Sequence, residues 1–187
     1  MPTKKLGTFK VETGKVYVSD PCYEKSEGKT TSRSLGVALP AVNGIWESTV
    51  AVHKTEGRVS ILTAKARTVR NSESGAWTEV FEAGVDSGQM SIFDEKFYRA
   101  KSEGEGKMSP TWEGMATSKH ENEKDGGGTF YGACCTLTCG EDNGRTSQAG
   151  VLEHGAVSST GYGDGCYPVF VKKNKAGEVV AVKVKFM

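Results

Sequence analysis

Apolar residues in this chain come in short runs roughly ten residues apart, separated by Gly, Asn or Asp, and almost nowhere do they hold a spacing of three and four for long. Such a pattern does not build long amphipathic helices; it builds short strands joined by turns. Glycine points the same way, at 24 of 187 residues, well above the roughly 7% of average proteins. At this length one domain buries roughly two thirds of its unfolded surface, which is enough for a core without disulfides or metals. The expected fold is mainly β: a single domain over 1–187, an antiparallel sandwich or partly open barrel of about eight to ten strands, with one short helix and long polar loops.

The clearest unit is C-terminal. Strands over 167–172 and 178–186 flank Lys173-Asn174-Lys175-Ala176-Gly177, and Val180, Val182, Val184 and Phe186 alternate with Ala181, Lys183 and Lys185. That alternation predicts one buried and one wet face. Residues 6–11 and 15–19 around Glu12-Thr13-Gly14 read as a second hairpin, and 45–53 and 58–67 around Lys54-Thr55-Glu56-Gly57 as a third. Further strands are predicted over 77–83, 89–93, 129–139 and 150–158, the last two joined through Glu141-Asp142-Asn143-Gly144. The short helix is placed over 94–101 with Asp94 as its N-cap. Residues 24–34 and 103–128 are polar and read as loops, the second as an insertion.

The formal charge is +1, from 24 basic and 23 acidic residues mixed along the chain rather than gathered in one stripe. No nucleic-acid partner is expected from such mixing. No apolar segment follows Met1-Pro2-Thr3-Lys4-Lys5, so neither a secretory signal nor a spanning helix is read, and a cytoplasmic protein without a membrane partner is expected. Five cysteines, at 22, 134, 135, 139 and 166, suit a reducing compartment and free, mostly buried thiols.

Three acidic turns stand where extended runs begin or stop: Ser19-Asp20-Pro21-Cys22-Tyr23, Gly84-Val85-Asp86-Ser87-Gly88-Gln89 and Gly163-Asp164-Gly165-Cys166-Tyr167-Pro168. Asp in a turn accepts hydrogen bonds from amides two residues on, and Gly lets a chain pass close to another backbone or a ligand. Each Asp is accounted for by its own turn alone. Brought together, the three carboxylates would suit a hard divalent cation or acid/base chemistry. Zinc finds a poor match: there is no Cys-x-x-Cys, and along a strand Cys134 faces away from Cys135 and Cys139. His53, His120 and His154 are the whole histidine supply, without a nucleophile elbow or a papain-like cysteine context. Asp125-Gly126-Gly127-Gly128 lacks the Gly-Lys-Ser ending of a phosphate loop. Trp46 and Trp77 lie in strand-like runs and are expected in the core. Tyr162, between Gly161 and Gly163, is the preferred exposed ligand contact.

The runs from Ala83-Gly84-Val85-Asp86-Ser87-Gly88-Gln89 to Asp94 and from Thr160-Gly161-Tyr162-Gly163-Asp164-Gly165-Cys166-Tyr167-Pro168 to Phe170 resemble a family of bacterial and bacteriophage β-rich proteins of unknown function. The resemblance rests on an Asp-Ser-Gly turn before a short strand ending in Asp, and on a C-terminal Gly-Asp-Gly-x-Tyr-Pro-Val element. It singles out Asp86, Asp94, Asp164 and Tyr167 and implies a bacterial or phage cytoplasmic origin, with no catalytic role attached.

The expected function is a non-enzymatic binding protein that binds or sequesters a small polar or anionic ligand, or a host protein. The residues assigned to it are Asp20, Tyr23, Asp86, Ser87, Gln89, Tyr162, Asp164 and Tyr167, with amides exposed by Gly88, Gly163 and Gly165. No catalytic residue, cofactor or metal is assigned. The competing expectation is a metal-dependent hydrolase built on the aspartate cluster.

Overall fold

A computed structural model describes residues 1–25, 32–70, 74–100, 128–139 and 148–187. The first half of the chain holds β1 (Thr3–Val11), β2 (Lys15–Ser19), β3 (Arg33–Ser34), β4 (Gly36–Pro40), β5 (Gly44–Val52) and β6 (Val59–Ala66). Then come β7 (Thr78–Val85), β8 (Gln89–Asp94), a 3-10 turn (Glu95–Phe97) and α1 (Gly128–Cys139). The chain ends with β9 (Ala149–Leu152), β10 (Gly155–Ser159), β11 (Gly165–Lys173) and β12 (Val179–Lys185).

Seven strands form one sheet in the order β1-β5-β6-β12-β11-β7-β3, and five form another in the order β4-β2-β8-β10-β9. The β3–β7 pair is parallel and the other ladders are antiparallel. Alternation along the strands puts Phe9, Trp46, Leu62, Val169 and Val182 of the larger sheet against Val16, Val18, Met90 and Ile92 of the smaller. This is the sandwich that the period-two pattern predicts. The turn before β12 follows from its sequence: Asn174 Oδ1 accepts from the amides of Ala176 and Glu178, both at 3.0 Å, and Gly177 takes φ +86.

The 45–53/58–67 and C-terminal hairpins pair as expected. The hairpin expected around Glu12-Thr13-Gly14 does not close: β1 pairs with β5, and β2 with β4 and β8. Both arms bury apolar side chains in one core, Phe9 and Val11 from one side and Val16 and Val18 from the other, so they must face each other across it rather than lie side by side. The connection β7–β8 crosses between the sheets in the same way.

The strand expected over 129–139 is α1 instead, the single α-helix among the described residues. Phe130, Ala133, Cys134 and Leu137 recur at spacings of three and four and cover the outer face of the smaller sheet, against Tyr17, Phe93, Val157 and Leu152. Gly150 permits this approach, because a Cβ there would stand 2.6 Å from a Leu137 methyl. The helix expected over 94–101 contracts to the 3-10 turn, with Asp94 capping it from the Lys96 amide. The single strand expected over 150–158 is two, β9 and β10, folded back at Glu153-His154. The expected turn 141–144 lies outside the described residues, as does the insertion at 103–128 apart from Gly128, which opens α1.

Candidate functional site

Asp20 follows β2 and is fully buried. Its Oδ2 accepts from the amides of Asp86 at 2.9 Å and Ser87 at 2.8 Å, and its Oδ1 from Ser87 Oγ at 2.5 Å and the Cys22 amide at 2.9 Å. The N-terminal and middle acidic turns therefore meet directly. The carboxylate pairs four donors, each of which would otherwise be an unpaired polar group at the edge of the core.

The same arrangement occurs a second time. Asp94, at the end of β8, accepts on Oδ2 from the amides of Glu12 at 2.6 Å and Thr13 at 3.0 Å, and on Oδ1 from Thr13 Oγ1 at 2.5 Å and the Lys96 amide at 3.0 Å. Val11-Glu12-Thr13-Gly14 leads to Asp20, and Val85-Asp86-Ser87-Gly88 leads to Asp94, at one constant offset along the chain. Gly14 and Gly88 share a left-handed backbone, with φ +72 and +66. In the β2–β8 ladder Val18 faces its own counterpart Ile92, so each strand ends by latching the turn that precedes the other. The same turn-and-strand arrangement thus occurs twice, with reciprocal carboxylate latches.

The two copies differ in what surrounds them. Lys15 is exposed and ion-paired to Glu95, whereas its counterpart Gln89 is buried under α1. Gln89 Nε2 donates to Cys135 Sγ at 3.4 Å, and Gln89 Oε1 is buried without a hydrogen-bond partner among the described residues. Turning the amide over would only move the vacancy to the other atom. Around it, Tyr131 on α1 is within hydrogen-bonding reach of Cys135 and Ser87, with Cys22 near enough to act on its charge. Burial first, then the charge of Asp20, pushes the Cys22 thiol up to about 12. Burial also raises the phenols of Tyr23 and Tyr131, the first with help from hydrogen bonding to Asp86 and the second with help from Cys135. The niche is thus lined by groups that stay neutral at physiological pH, with the Asp86 carboxylate at its edge. Arg99, at φ 50, fastens its floor: Nη1 donates to the carbonyls of Pro21 at 2.8 Å and Cys22 at 3.1 Å.

The C-terminal acidic turn joins the same end of the molecule. The β7–β11 ladder closes at Val85 and Gly165, and the site of a Cβ on Gly88 is 3.4 Å from Gly163 Cα. The Asp164 side chain is exposed, however, and does not join Asp20. Tyr167 is a core residue, donating to the Gly163 carbonyl at 2.8 Å and packing edge-on against Phe186. Tyr162 is 57% exposed but turns toward the β5–β6 connection, where it donates to Glu56 at 2.9 Å beneath Arg58. Of the residues expected to form one site, Tyr23, Asp86, Ser87 and Gln89 gather at the niche. Among the described residues no group of three His, Cys, Asp or Glu side chains is placed to hold a metal ion.

A family profile described as a protein of unknown function, DUF4241, matches residues 9–184. The chain belongs to that family. The match runs from within β1 to within β12, so it takes in both latches and all the niche residues of this DUF4241 protein. No curated protein and no solved structure matches the chain. Among the described residues no helix is long and apolar enough to cross a membrane. Sequence reasoning missed Cys22, Tyr131 and Cys135 as niche residues in this DUF4241 member, because with 129–139 read as a strand nothing connected α1 to the Asp86 turn. The repeated Val-acid-hydroxyl-Gly pattern was the signal for the paired latches.

Proposed function

We propose that this is a non-enzymatic binding protein of bacterial or phage origin, acting in the cytoplasm. Its ligand is small and polar, sits between the Asp20–Ser87 latch and α1, and carries hydrogen-bond donors. The observation that carries this reading is the buried Gln89 amide oxygen, which has no hydrogen-bond partner among the described residues. The other copy of the arrangement does without a buried amide, so the polarity under α1 is not required by the latch itself. A buried acceptor left unpaired costs about 1–3 kcal/mol, a cost that a ligand N–H or O–H would remove.

The surroundings define the ligand further. Cys22, Tyr23 and Tyr131 are held neutral, Asp86 places a carboxyl group at the edge, and the nearby guanidinium of Arg99 is turned onto backbone carbonyls. This favours a neutral or cationic ligand over an anion. A hydrolase using the aspartates draws less support, since both oxygens of Asp20 are engaged by amides and Ser87.

Native mass spectrometry of gently purified protein, followed by thermal shift with nucleosides, amino sugars and arginine against phosphate and citrate, tests this. A ligand at a hundred times its dissociation constant adds about 2.7 kcal/mol. That corresponds to a rise of about 5–10 °C in Tm for a chain of this size. The expected result is a rise with a donor-bearing neutral or cationic compound, lost in Gln89→Met. No retained mass and no shift across the panel, or a shift that survives Gln89→Met, would refute it.

A further inference from the structure

The outer face of the seven-stranded sheet separates charges that the sequence mixes. In register across it run Phe170, Lys183, Thr63 and Thr49, and beside them Lys172, Ala181, Lys65 and Glu47. Lys185 lies two residues beyond Lys183 on the same side of β12. Glu47 is taken by Lys5 at 3.0 Å, and Glu82, the acidic residue on the outer side of β7, by Arg33 at 2.8 Å. Lys172, Lys183 and Lys185 have no ion-pair partner among the described residues. Glu79, exposed at the margin beside Phe170, does not pair with them.

Between these lysines stand two partly exposed rings. Lys183 Nζ is 4.3 Å from the centroid of Trp77 and 5.0 Å from that of Phe170, and Lys172 Nζ is 5.5 Å from Trp77. Trp77, expected in the core, precedes β7 and lies on this outer surface. A cleft of about 400 Å³, lined by Thr49, Thr63, Lys65 and Arg67 among others, continues the face toward β5. Burial, and then the neighbouring Lys185 and Lys172, hold the Lys183 ammonium below its ordinary range.

We propose that this face binds single-stranded nucleic acid, its phosphates taken by Lys172, Lys183 and Lys185 and a base stacked on Trp77 and Phe170. Uncompensated lysines call for a polyanion, and the rings select which one. An acidic polypeptide would engage the ammoniums but bring no flat partner for the rings, and a duplex keeps its base faces stacked inside. Single strands offer phosphates and bare base faces together, the combination that charged, aromatic sheet surfaces recognise. The mixing of signs holds for the chain as a whole, whereas Lys172, Lys183 and Lys185 share one C-terminal hairpin, and folding sets Trp77 beside them.

The test is fluorescence anisotropy of a fluorescein-labelled oligo-dT of about 20 nucleotides with the full chain, from about 50 to 200 mM salt. Three phosphate contacts predict a slope of log K on log salt of about −2. Replacing Lys172, Lys183 and Lys185 together by Ala weakens binding about tenfold or more and flattens the slope. Trp77→Ala weakens it while Trp77→Phe restores most of it, and Lys175→Ala, in the β11–β12 turn, leaves it unchanged. The lysine variants stay folded, which melting curves check. No binding at about 50 mM salt, a duplex bound as tightly, polyglutamate displacing the oligonucleotide more effectively than unlabelled oligo-dT, or a triple variant that binds like the parent would each overturn the proposal.

Discussion

A single buried carboxylate organises one end of this molecule. Asp20 ties together residues from two distant turns through four donors, so Asp20→Ala strands three amides and a hydroxyl at once. The expected loss is about 3–5 kcal/mol by chemical denaturation, with Asp20→Asn intermediate because one amide oxygen still accepts. Cys22 gives a pH signature. Its folded value is raised from 9.0 to about 12, so the fold holds the proton more tightly than the unfolded chain does. Its contribution is fully present below pH 9 and is lost as pH rises through 9 toward 12. Cys22→Ser should flatten the alkaline fall in stability over that window. In competitive alkylation near pH 8 the exposed Cys166 reacts ahead of Cys22. The sequence marked Asp20 and Asp86 as turn residues. It could not reveal that the partners of Asp20 are the amides of the second turn, because a hydrogen bond over 66 positions leaves no local trace.

At the scale of elements, the two latches are copies of one device. Asp94 sits opposite Val16, and Asp20 follows β2 four residues further on, so the two backbone positions are about 13 Å apart along the strand direction at the usual rise per residue. At that separation, with no donor in common, Asp20→Ala and Asp94→Ala should be additive within about 0.5 kcal/mol in a double-mutant cycle. A larger coupling would mean that the latches act as one unit. The strands themselves were legible: period-two alternation and turn glycines place β5, β6, β11 and β12 within a residue or two. What misled was 129–139, where adjacent Ala133, Cys134 and Cys135 mask the three-four spacing with small, weakly hydrophobic residues. Helix there is favoured by the outer face of the smaller sheet, with Tyr17 and Phe93 exposing area for Phe130 to cover.

For the molecule as a whole, the crossings β1–β2 and β7–β8 each tie one sheet to the other, and the latches fix both crossings from opposite directions. Neither sheet can leave the shared core without breaking a latch. Far-UV circular dichroism and tryptophan fluorescence should therefore report one coincident unfolding transition, with Trp46 fully buried in the larger sheet. Two separated transitions would show that the sheets unfold independently. The sequence alone determined the class of fold, since alternation and glycine content act through local geometry that every segment carries by itself. Tertiary structure decided the rest. It parted the arms of the first expected hairpin, brought Gln89 and Cys22 to Tyr131 of α1, and set Trp77 beside the lysines of the C-terminal hairpin, because burial, carboxylate capping and contact between ring and ammonium depend on neighbours in space rather than in sequence.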